Sequence, residues 1–287
     1  MSVNLQQLEK DGVYEAKASI AAILAELDRI AVLSREAAAR RKRLAKSGGV
    51  IAVAALVVMI VGAFIGLAWL LVLALVAMLI GLGMMLTAVF ATGKLAHHPK
   101  RMEITRERLS MIQADAGEKP FSLRLVLASQ PSRLRDEVLQ GRKKGHQEFF
   151  EESWFALQGP LLDGTVLADE IKDLSRRRTY VTPRGKHKVK SRLTYLVNVS
   201  FSYSRERYGD ARMAQQALNE EVKVGPGALL RKARVTEKAV TLRAMVNSEQ
   251  EIARTAGMLS MGAYRILNLA RRIAEKNNAE RKGGNAK

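Results

Sequence analysis

The densest chemistry in this sequence is cationic. From Ser175 to Arg192 the chain carries Arg176, Arg177, Arg178, Arg184, Lys186, Lys188, Lys190 and Arg192, and no acid. At neutral pH arginine and lysine are donors only, so such an array recognises phosphates or carboxylates and moves no protons. Three uses compete for it: a solvated strand kept from edge pairing by its charges, a surface for anionic lipid headgroups or an acidic protein partner, and a ribbon for nucleic acid. Smaller basic clusters stand at Arg40, Arg41, Lys42, Arg43 and Lys46, which we place on the membrane surface, and at Arg142, Lys143 and Lys144.

Groups suited to catalysis are sparse. Asp163, Asp169, Glu170 and Asp173 lie close together, but beside so many cations internal ion pairing is the simplest expectation. His97 and His98 point to different faces of any regular element, so a metal there would need distant ligands. His146 and His187 stand among lysines and arginines. The sequence has no Gly-x-x-x-x-Gly-Lys loop, no Gly-x-Gly-x-x-Gly after a strand, no His-x-x-x-His pair and no Gly-x-Ser-x-Gly elbow. Cysteine is absent, which excludes disulfides and thiolate chemistry. We therefore expect no enzyme, no cofactor and no metal.

The elements that position the cations follow from periodicity. Thr182-Pro183-Arg184-Gly185 reads as a turn, and Lys186, Lys188, Lys190 and Arg192 fall on one face of the strand leaving it. The same strand continues as Tyr195, Val197, Val199, Phe201 and Tyr203, at odd positions. The ribbon of residues 175–203 should thus have a basic tip and a core-packed base whose apolar side chains lie on the opposite face.

Around it we expect a mixed antiparallel sheet-and-helix domain over residues 121–276, with strands at Phe121 to Leu127, Phe149 to Leu157, Thr165 to Ile171, Leu229 to Val235 and Ala239 to Val246. Ser132 to Leu139 reads as a helical turn or loop, Gly209 to Val222 as a helix, and residues 94–120 as a polar linker with a short helix at Arg101 to Gln113. Ser248 and Glu251 predict a capping box for a helix over 249–276. Its Ile252, Ala256, Leu259, Ala263, Ile266, Ala270 and Ile273 recur as heptads that could cover the sheet or join subunits. Residues 277–287 should form a mobile tail. Residues 1–46 predict one long amphipathic helix with Val13, Ile20 and Leu27 beside Ala16, Ile23 and Ile30.

The whole is organised around Ser47 to Gly93, which contain no Asp, Glu, Lys, Arg or His. A bilayer core of about 30 Å takes about 20 helical residues, so this segment has length for two crossings. We expect a hairpin with spans near Val50 to Ile65 and Leu70 to Thr92, a reversal near Gly66 to Trp69, and Gly62 and Gly66 admitting close helix packing. Lysine and arginine flank both ends, from Arg35 to Lys46 and from Lys94 through Lys100, Arg101, Arg106 and Arg108. Both termini should therefore be cytoplasmic, at a prokaryotic inner membrane by default.

The net charge of +19 suits a polyanionic partner. The fold class expected is thus a membrane-anchored α+β protein, and the function a non-enzymatic homo-oligomeric scaffold or docking protein on an acidic membrane or partner surface. A membrane-tethered nucleic-acid binder and an oligomeric pore subunit are the alternatives.

Overall fold

The computed structural model describes residues 11–66, 68–90, 99–128, 131–139, 145–182 and 185–284. The chain is mixed α+β, built on an antiparallel sheet with helices on one face. Strands β1 (Val13–Ala18), β2 (Phe121–Val126), β3 (Ser132–Leu139), β4 (Gly145–Pro160), β5 (Val166–Val181), β6 (His187–Ser202), β7 (Ala228–Val235) and β8 (Ala239–Val246) are ordered β1-β2-β4-β5-β6-β8-β7. β3 pairs with the far end of β4, beyond β2. Helices α1 (Ile20–Ile65), α2 (Ala68–Phe90), α3 (Pro99–Ala116) and α4 (Ile252–Gly284) complete the main elements.

The expected alternation on β6 holds. Tyr195, Val197, Val199 and Phe201 are buried, and the pairing of β5 with β6 keeps one register throughout. Between Ser153 and Phe155 β4 bulges against β5, so the consecutive Trp154 and Phe155 are both buried. Over these residues lie Ile252, Ala256, Leu259, Ala263, Ile266 and Ala270 of α4, all buried. The heptad stripe of α4 is thus used up within the chain, covering the sheet.

Several expectations need correction. The first 46 residues are not one helix: Val13–Ala18 form β1, paired with β2, and α1 starts behind an N-cap at Ser19, whose Oγ accepts from the backbone of Ala22 at 3.4 Å. The apolar stripe does pack on the chain itself, with Ile20, Ile23, Leu27 and Ile30 in the core. Ser132–Leu139 is a strand, sustained by its ladder to β4 rather than by burial, since Leu134 and Val138 are exposed. Residues 211–221 form a 3-10 turn and a short helical turn in place of one helix. Ser248 makes no side-chain cap bond, and a 3-10 turn precedes α4. The helix then runs on to Gly284, through most of the expected tail.

α1 does not stop at the bilayer-like boundary. It continues unbroken to Ile65 and ends on Gly66 in the left-handed region, whose N–H donates to the carbonyl of Gly62. α2 then returns along it. A Cβ on Gly48 would stand 2.7 Å from the carbonyl oxygen of Gly81, so the two backbones approach closely there, with Ala55 and Ala74 buried further along. Gly62 is buried in the pair, and Gly66 serves the reversal. Among the described residues one stretch, Lys42–Ile65, is long and apolar enough to cross a membrane; the apolar stretch of α2, Leu71–Thr87, is shorter. By length and composition one candidate stretch is therefore found where the sequence led us to expect two spans.

Candidate anion-binding surface

The helices cover only one face of the sheet, and on the other the cations gather. In β5 and β6 the residues at even numbers point to this open face, where Arg176 lies opposite Arg192, Arg178 opposite Lys190 and Tyr180 opposite Lys188. Like charges directly opposite each other on neighbouring strands repel and cost stability. Among the described residues no ion pair involves Arg176, Arg177, Arg178, Lys186, Lys188, Lys190 or Arg192, so no carboxylate there relieves the repulsion. Arg184 and the cluster Arg142, Lys143 and Lys144 lie outside the described residues. Arg40, Lys42, Arg43 and Lys46 are exposed on α1, and the side chain of Arg41 is outside the description.

Aromatic rings join the array but are already partnered. The Arg178 guanidinium sits 5.5 Å from the centre of Tyr180, and that of Arg135 lies 4.8 Å from Phe149. Below them a groove of about 410 Å³ is lined by Phe149, Leu174 and Met245 together with Arg176, Arg192 and Arg231. Arg231, Lys232, Arg234 and Arg243, from β7 and β8, extend the positive charge across the sheet. Sequence reasoning passed over these four because their strands were read for their apolar residues alone; the register of β7 on β8, with its bulge at Arg231, sets Lys232 opposite Arg243 and Arg234 opposite Thr241.

The acids are spent in structure. Asp169 accepts from Arg108 Nε at 2.6 Å, and Asp173 and Glu152 both accept from Arg101 Nη2, at 2.8 and 2.7 Å. Trp154 also donates its indole N–H to Asp173 at 2.7 Å. Burial pushes the Asp173 carboxyl up, against the pull of Arg101. Internal pairing was expected for these acids, but the partners come from α3 and not from the ribbon. This also corrects the flank reading: Arg101 and Arg108 are buried, so they are core counter-ions and not part of a basic membrane collar.

Asp163 has a different task, in the turn between β4 and β5. It accepts from the Thr165 backbone and hydroxyl and from the Tyr208 hydroxyl, at 2.9, 2.7 and 2.7 Å. Burial alone would raise its carboxyl; these hydrogen bonds outweigh burial and hold it below the ordinary value. Burial and the bond to Asp163 in turn push Tyr208 up to about 12. Among the described residues no group of three or more His, Cys, Asp or Glu is placed to hold a metal ion. His146 pairs with Asp136 at 2.6 Å on the exposed surface, and His187 is exposed near the ribbon tip.

No family model matches the chain, and searches of curated proteins and of solved structures returned no match.

Proposed function

We propose that this chain is anchored in a membrane by α1 and α2 as a two-span hairpin, and that its basic sheet serves non-catalytically to dock an acidic surface at the inner face of that membrane. One observation carries the reading. β1 precedes the apolar segment and β2 follows it, yet the two are hydrogen-bonded neighbours in one sheet. Whatever the segment enters, it must return from, which favours an even number of crossings over one.

The surface of the helix pair supports the same reading. Only 17% of the apolar window of α1 is buried, whereas a core helix of a soluble protein is mostly buried. Val50, Val53, Phe64, Ile65, Trp69 and Val72 all face outward, an apolar area far larger than water tolerates on a monomer. Self-association, where it occurs, falls to this hairpin, since the heptad faces of α1 and α4 are covered within the chain.

The test uses single cysteines in a chain that has none. With the full chain in sealed inverted inner-membrane vesicles, Asp11→Cys and Lys276→Cys should both react with a membrane-impermeant maleimide added outside, and Phe64→Cys should not. The protein should also resist alkaline extraction. Labelling of Asp11→Cys and Lys276→Cys from opposite sides, or release at high pH, would reject the anchoring.

A second reading, a membrane-tethered nucleic-acid binder, draws on Arg176, Arg178, Lys188 and Lys190 sharing one face with Tyr180. It requires affinity for duplex or single strands that falls steeply with salt. A flat salt response removes it.

A further inference from the structure

The ribbon tip and the membrane hairpin leave the domain at the same end. β1 sets Val13 opposite Val126 and Ala18 opposite Phe121, so α1 starts at the base of the sheet. The hydrogen bond from Tyr14 to Glu26 and the ion pair of Arg106 with Asp28 then hold α1 as it returns toward the tip end. α3 descends beside it, from Arg101 at the height of Asp173 to Asp115, whose carbonyl accepts from Leu162 at the base. The apolar pair therefore lies beyond the tip end of the sheet.

The two projections are of comparable length. From Asp173 to Val181 the ribbon rises about 27 Å, at about 3.4 Å per residue. From Asp28 to Ser47 α1 rises about 28 Å, at about 1.5 Å per residue. Asp28 starts somewhat lower, beside Arg106 and not Arg101, so the ribbon tip reaches the height at which α1 turns apolar.

The tip is itself two-faced. Arg178, Lys188 and Lys190 occupy the open face, while Val181 and Val189 lie on the opposite one, each exposed. At the base that opposite face is the buried core; at the tip no helix among the described residues covers it.

We propose that the tip of the β5–β6 ribbon is a second membrane contact, in which Lys186, Lys188 and Lys190 meet the phosphates of anionic phospholipids and Val181 and Val189 rest at the boundary of headgroups and acyl chains. The inference rests on the hairpin anchoring proposed above. Charge complementarity selects the occupant. Among the described residues the cations have no acidic partner; they repel one another across the strands and are carried to the height of the one polyanionic surface the hairpin would bring near. An exposed valine beside them suits an interface that is apolar a few ångströms below its charge.

The test places a polarity-sensitive fluorophore on single cysteines of the full chain reconstituted in vesicles. Val189→Cys reports the tip, Phe64→Cys the hairpin turn and Lys238→Cys the base of the sheet. In phosphatidylcholine vesicles containing phosphatidylglycerol, the Val189→Cys probe should emit blue-shifted. In pure phosphatidylcholine it should emit as in water, and adding Lys186→Ser, Lys188→Ser and Lys190→Ser should abolish the shift with the circular dichroism unchanged. Phe64→Cys should read as lipid and Lys238→Cys as water in both. An aqueous Val189→Cys with a lipid-like Phe64→Cys overturns the tip contact and leaves the anchoring standing. An aqueous Phe64→Cys overturns both. An equal Val189→Cys shift in pure phosphatidylcholine overturns the anionic-headgroup assignment. A shift seen only on adding a nucleic-acid duplex assigns the tip to a soluble polyanion instead.

Discussion

The base and the tip of the β5–β6 ribbon are the same two strands in one continuous register, yet they are built to opposite specifications. At the base Val197, Val199 and Phe201 are buried under α4, and the charges that face the core, Asp169 and Asp173, each have an arginine. At the tip every residue from His187 to Leu193 is exposed, and cations stand opposite cations. The difference teaches that alternation fixes only which residues share a face. Whether a face becomes core or surface is decided by what covers it, and here α3 and α4 reach only to about the level of Asp173.

The contrast can be broken most forcefully at the base. Arg108→Ala leaves the Asp169 carboxylate buried, and its second oxygen has no other hydrogen-bond partner. The expected loss is about 3 to 5 kcal/mol in urea unfolding of the detergent-solubilised chain. The paired change Arg108→Met with Asp169→Leu should recover most of it, because the penalty lies in the unpaired charge.

A matched pair sharpens the comparison. Val199 and Val189 lie on the same face of the same strand, one fully buried and the other 55% exposed. Val199→Ala should cost roughly 2 kcal/mol, while Val189→Ala should stay within about 0.5 kcal/mol. Equal costs would mean that the tip packs against something in the isolated protein.

Next in size is a charge reversal. Lys190→Glu places a carboxylate opposite Arg178 and makes the tip resemble the base. Stability should rise by roughly 0.2 to 1 kcal/mol, with reduced binding to phosphatidylglycerol vesicles in a co-sedimentation assay. The smallest effect is a slope. Because the Asp163 carboxyl is held below its ordinary value, its contribution is present above the unfolded-state pKa, about 3.9, and is lost as pH falls through the lower, folded one. Asp163→Asn should flatten that acid limb of the stability curve.

Much of this was legible in the sequence, for identifiable reasons. The parity shift along residues 186 to 203 survives intact because β6 carries no bulge against β5. The apolar stripe of α4 was equally plain, though only the sheet could decide between core and subunit seam. β1 was hidden because Val13 and Ala16 extend the helical period of Ile20 and Ile23 backward. The signals that could have found it are Gly12, which adopts a positive φ, and Ser19, which caps α1. β3 has mixed polarity on both faces and buries none of its described side chains, so no pattern marks it.

The buried arginines were missed for a subtler reason. Arg101 and Arg108 follow an apolar segment, where cations are expected on topological grounds alone. A seven-residue helical step covers about 10 Å, and the four-residue strand step from Asp169 to Asp173 about 14 Å. That rough match was the available sign that one pair was meant for the other.

α1 belongs at once to the sheet core, through Ile20, Ile23, Leu27 and Ile30, and to the apolar pair, through Gly48 and Ala55, with no break between. It is therefore a drive shaft as well as the anchor proposed above. One residue inserted between Arg35 and Lys46 would turn everything above it by about 100° while lifting it only about 1.5 Å. The azimuth of the domain about that shaft, and so which way the cationic face looks, is set by the number of residues in the helix.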